Sequence, residues 1–109
     1  MSTNQWQGED VRGLIGADAF RRIEAAFRQR AVERLDHIRA ALSSGDLETV
    51  ARQAHALKGA SATFGHAELS LLASALDEAA RTRAPDLSQC VERLSMAVAS
   101  IAADATRGD

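Results

Sequence analysis

The sequence contains one lysine, Lys58, one cysteine, Cys90, one proline, Pro85, and no tyrosine. A lone cysteine cannot close an intramolecular disulfide, which fits a reducing, cytoplasmic setting. It sits at helical spacing among apolar neighbours, the place of a small buried thiol rather than of a nucleophile. Aromatic residues make up 4% of the chain, and only 4 Ile and 5 Val are present. This scarcity of β-branched and aromatic side chains argues against sheet. No apolar run approaches the roughly 18 to 20 residues of a membrane span. Residues 1–7 are polar and lack the apolar core of a signal peptide. A net charge of −2 and a pI near 5.9 supply no basic excess, which argues against nucleic acid as a partner.

What is present points one way. The 109 residues suit one domain, and 23 Ala and 11 Leu favour helix. Residues 1–8 read as a flexible N-terminal segment. Residues 9–109 read as a single helical domain. A short helix is expected over 9–15, where Val11, Leu14 and Ile15 give it an apolar side. From Asp18, the residues Phe20, Ile23, Phe27, Ala31, Leu35, Ile38 and Leu42 recur every three or four positions, one stripe on a long helix. Ser43-Ser44-Gly45-Asp46 reads as a stop followed by a start, with Asp46 the next N-cap. A second helix is expected over 47–64, ended by Gly65, and a third over 67–81. A turn at 82–85 leads to a last helix carrying Leu87, Val91, Leu94, Val98 and Ile101. Four amphipathic helices with short connections are economically packed as an antiparallel, up-down four-helix bundle with a short extra N-terminal helix.

The three histidines differ in their placement. His66 follows Gly65 and helps start the third helix. His37 falls at the bundle edge. At about 100° per residue, His55 lies roughly 160° around the axis from Leu57 and points away from the core. Ala51, Gly59 and Ala62 fall within about 40° of it, and Lys58 about 60° away. An exposed helix face normally carries long polar side chains, but this one is cleared around a single imidazole. Glycine inside a helix costs about 1 kcal/mol relative to alanine, so Gly59 suggests close approach by a partner. An imidazole can act as a nucleophile, and a flexible ammonium can steady a phosphoryl group.

The segment Ala54-His55-Ala56-Leu57-Lys58-Gly59, with Gly65 closing the helix, resembles the A-H-x-L-K-G signature of histidine-containing phosphotransfer (HPt) domains. The resemblance continues into Leu69, Leu72 and Leu76-Asp77-Glu78. It implies a phosphoryl carrier rather than a self-sufficient enzyme. Such a carrier takes a phosphoryl group from a receiver-domain aspartate, or from a sensor or hybrid histidine kinase, and passes it to another receiver. It further implies His55 as phosphoacceptor, Lys58 as the phosphate-steadying cation and Gly59 as the opening to His55. Ala51, Arg52, Gly59 and Ala62 would form the partner-binding face. Some family members hold the inner imidazole nitrogen with Gln or Glu on the following helix. Asp77 stands near that place, with Glu78 beside it, and two readings stand for it: imidazole partner or solvated surface acid. No cofactor or metal is expected in the chain itself, with Mg²⁺ expected in the partner. A monomer is expected.

Two other classes compete. A histidine-kinase dimerisation bundle also presents a histidine, but would carry an acid directly after it and a proline soon after. Here Ala56 follows, and Pro85 is distant. A bundle serving only as an interaction scaffold would keep its function without His55.

Overall fold

The computed structural model describes residues 13–106, with side-chain environments through 104. Among these residues the structure is all-helical. The helices are α1 (Ala17–Ser44), α2 (Leu47–Thr63), α3 (Ala67–Thr82) and α4 (Leu87–Thr106). Residues 13–15 are helical as well. The rest of the expected 9–15 helix, the 1–8 segment and the Arg107–Asp109 end lie outside the described residues. Each helix packs on the next, and α1 also packs on α4, so the four close into a ring around one core.

The core follows the sequence stripes closely. Ile38 of α1, Leu57 of α2, Leu76 of α3 and Leu94 of α4 are all 0% exposed. Fully burying one such side chain contributes about 1.5–3 kcal/mol, so the stripes supply the main cohesion between helices. Cys90 lies in this core, and burial pushes its thiol up from the ordinary range. Two members of the α1 stripe differ from expectation. Ile23 is 45% exposed and Leu42 is half-buried, while Ala41 is buried. Ile23 lies about 60° around the axis from Phe20. It therefore falls on the edge of the stripe, beside an apolar furrow with Phe27 and Phe64.

The ends of the helices are set by local chemistry. Gly45 (φ 77°) closes α1, and the N–H of Asp46 reaches back to the carbonyl of Ala41 at 2.8 Å. The Asp46 side chain then caps α2, accepting from the Thr49 N–H at 3.1 Å and the Thr49 hydroxyl at 2.6 Å. Those bonds hold the Asp46 carboxyl below the usual carboxylate range. Gly65 (φ 79°) ends α2 in the same way, with the His66 N–H on the Ser61 carbonyl at 2.9 Å. At the end of α3 this left-handed position is held by Arg83 (φ 53°), the one non-glycine residue with positive φ among the described residues. α1 begins at Ala17 after Gly16, and Asp18 is a first-turn acid, paired with Arg21 at 2.8 Å.

The turn between α2 and α3 is braced from α1. Phe64 lies against Phe20 and Phe27, with ring centroids 5.8 and 5.2 Å away. The His66 imidazole stacks on Phe27 at 5.2 Å, and its Nε2 is 3.2 Å from Glu24. Glu24 also pairs with Arg28 at 3.3 Å, and Arg28 donates to the Ile101 carbonyl on α4 at 2.8 Å. His66 thus starts α3 through its backbone, while its ring ties three helices together.

Candidate functional site

His55 stands in the middle of α2 because Ala54 and Leu57 on either side turn inward, both 0% exposed. Its own side chain is 65% exposed. The inner ring nitrogen, Nδ1, lies 3.3 Å from Oδ2 of Asp77 on α3. Asp77 is one of two buried polar or charged residues among those described, at 9% exposure. Its other oxygen accepts from the Nε–H of Arg81, one turn along α3, at 2.7 Å. Asp77 therefore bridges an exposed imidazole and an exposed guanidinium.

A carboxylate offers only acceptors. Its placement therefore favours the tautomer with the proton on Nδ1, directed at Asp77. The lone pair then sits on Nε2, at the solvent side of the ring. Such a ring is oriented, desolvated on its inner edge and open on its outer one. That arrangement suits a nucleophile toward an incoming electrophile.

The face around the ring is small. Gly59 and Ala62 are exposed, and Lys58 is exposed one turn on from His55. A methyl group built on Gly59 would meet nothing within 4 Å. Packing inside the molecule therefore gives no reason for glycine there, and the space belongs to whatever approaches from outside. The α2–α3 register at this level is tied by the Ser70 hydroxyl, which donates to the Lys58 carbonyl at 3.1 Å.

One residue of the expected partner-binding face sits deeper than the sequence suggests. Ala51 is only 6% exposed, so it does not belong to the cleared surface. Its 40° offset from His55 carries it toward α3, where it lies near Ala80 on the floor of a groove. Arg52 is exposed, with its guanidinium donating to the Thr49 hydroxyl at 3.1 Å. His37, on α1, is exposed.

Sequence reasoning left out Arg81. The signal was available: Asp77 and Arg81 are four apart on a helix, the spacing of a facing ion pair. On the inner side of α2, the Ser61 hydroxyl is fully buried and has no hydrogen-bond partner.

Among the described residues, no three His, Cys, Asp or Glu side chains converge as a metal-binding group, and no helix is long and apolar enough to cross a membrane. Compared with known families, residues 23–104 match the model of the Hpt domain. Neither the curated proteins nor the solved structures give a significant match. The matched span covers most of the four helices and contains His55, Lys58, Gly59 and Asp77, so the chain belongs to the Hpt domain family, the histidine phosphotransfer modules of phosphorelays.

Proposed function

We propose that this chain is a phosphoryl carrier with His55 as its phosphoacceptor. The observation that carries the reading is the exposed His55 ring with its inner nitrogen set against Asp77, beside Lys58 and the open position at Gly59. The donor is the acyl phosphate on a receiver-domain aspartate. The Nε2 lone pair of His55 attacks the phosphorus, an N–P bond forms, the P–O bond to the aspartate breaks, and the aspartate carboxylate leaves with the electron pair. The proton on Nδ1 stays in place, and Asp77 offsets the positive charge that develops on the ring. Lys58 steadies the phosphoryl oxygens. Transfer to a second receiver aspartate runs the same step in reverse.

Positioning and charge stabilisation dominate such transfers. The Mg²⁺ expected in the receiver domain would neutralise charge on the phosphoryl oxygens from the partner's side. The chain then needs no nucleotide site of its own and acts as a carrier between a sensor or hybrid kinase and a response regulator. The ring of helix contacts and the short connections support an up-down four-helix bundle. A monomer in the cytoplasm is consistent with the lone buried cysteine and the open face at His55.

The test is incubation with a phosphorylated receiver domain. Label should appear on the chain as acid-labile, base-stable phosphate, and His55→Gln should take up none while keeping its helical content. Equal labelling of His55→Gln would overturn the assignment.

A further inference from the structure

Beside the His55 face, α2 and α3 leave a groove of about 540 Å³. Its floor is apolar and shallow, made by Leu47, Ala51 and Ala80. Three arginines, Arg52, Arg81 and Arg83, line it, against a single acid, Glu48. All three arginines are exposed. Arg81 is already paired with Asp77 at 2.7 Å, so Arg52 and Arg83 are the two cations the groove offers a partner, against Glu48, in a chain whose net charge is −2. The groove is continuous with the site: Arg52 lies one turn before His55 on α2, and Arg81 holds the carboxylate that holds His55.

Arg83 adds an independent observation. The ends of α1 and α2 use glycine for their left-handed residue, at φ 77° and 79°. The end of α3 uses arginine at φ 53°. A non-glycine residue in this conformation costs roughly 1 kcal/mol. Glycine would close the helix without that cost, so what arginine adds here is a long cationic side chain at the rim of the groove.

We infer that this groove is a specificity-determining extension of the docking face, and that it takes an acidic segment of the partner receiver domain. The inference rests on the phosphocarrier reading above. The chemistry of the groove selects the occupant. Guanidinium groups around a floor of methyl groups suit carboxylates borne on a chain segment with small apolar side chains. A small hydrated anion would leave that floor uncovered. A partner reaching His55 must also pass over Arg52. Charges at the rim of an interface chiefly set the rate of encounter and the choice of partner, and salt screens them.

The experiment uses the full chain and an isolated phosphorylated receiver domain to which the unmodified chain transfers. Arg52→Gln and Arg83→Gly are combined. Glycine keeps the left-handed helix end, so the double variant folds. Its KM for the receiver should rise about tenfold at low salt, and the gap should close as salt is raised. Arg93→Gln, which removes one charge from α4 away from the groove, should leave KM unchanged. An unchanged KM in the double variant, or an equal rise in Arg93→Gln, would overturn the groove proposal while leaving His55 as phosphoacceptor. No label on His55 of the unmodified chain from any receiver would overturn the underlying reading, and this inference with it.

Discussion

The chain builds the same pair twice, an imidazole against a carboxylate, and sets the two in opposite surroundings. His55 is 3.3 Å from Asp77, and His66 is 3.2 Å from Glu24. The His55 side chain is 65% exposed over a carboxylate that is only 13% exposed. At the other pair both side chains are 19% exposed. His66 is further covered by Phe27, and its carboxylate is shared with Arg28, which reaches α4. One ring is held by one edge and left open. The other is held on its edge and its face. The lesson is that a carboxylate contact does not make a histidine reactive. What distinguishes His55 is that the second nitrogen has room for a reaction.

This contrast gives an ordered set of tests. The largest effect is expected at the open ring itself, where His55→Gln removes all transfer and leaves stability nearly unchanged. Next comes the support beneath it. Asp77→Asn keeps the shape but can present its amide N–H₂ to the ring, so the orientation and tautomer of His55 are no longer fixed. Transfer should slow by between about 10- and 100-fold, the scale of a misplaced reacting group. Single-turnover kinetics would show it, and a rate within a factor of two of the unmodified chain would dissolve the distinction between a held ring and a free one.

At the covered ring the effects should move to stability. His66→Ala removes the stack on Phe27 and leaves Glu24 with Arg28 alone, at a cost of about 1–2 kcal/mol. Denaturant unfolding measures this, and transfer per folded molecule should stay the same. A smaller effect separates fit from function at the open face. Gly59→Ala should raise stability by up to about 1 kcal/mol, because alanine favours the helix and the new methyl meets nothing inside the molecule. The same methyl should weaken transfer from a receiver, because it stands where the partner must come close. The smallest change is expected at a third carboxylate, remote from both rings. Asp46→Ala should lower Tm at neutral pH through loss of the α2 cap. Because Asp46 is held below its usual range by Thr49, its contribution is present above the unfolded-state value and lost as pH falls through the folded one. The two Tm curves should therefore meet in acid.

How much of this the sequence reveals depends on the range of the interaction. Gly45-Asp46 and Gly65 are legible because their turns are made by neighbours in the chain. The outward direction of His55 is legible because helix periodicity alone sets it. Ala51 is misread for the reason that makes His55 readable. Periodicity gives an angle, but whether that angle faces solvent depends on where α3 lies, and α3 covers Ala51. The choice at Asp77 between surface acid and imidazole partner turns on the register of α3 against α2, which no spacing within either helix contains. Arg81 was readable as a partner of Asp77, but not as a lining of the groove.

The short turn at Gly65 carries one more consequence. His55 lies about 12 Å back from it along α2, and Asp77 about 15 Å beyond it along α3, at 1.5 Å per residue. The two arms leave the same corner, so the loop acts as a ruler for the pair. Inserting a single residue into either arm, between the corner and its group, would carry that group about 1.5 Å further along and turn it by about 100°. That is enough to part the two groups with both helices intact. The corner itself is fixed from α1, by Phe20 and Phe27 against Phe64 and by Glu24 against His66. The residues between His55 and Asp77 therefore work as a spacer of fixed count, set by the pair they hold together.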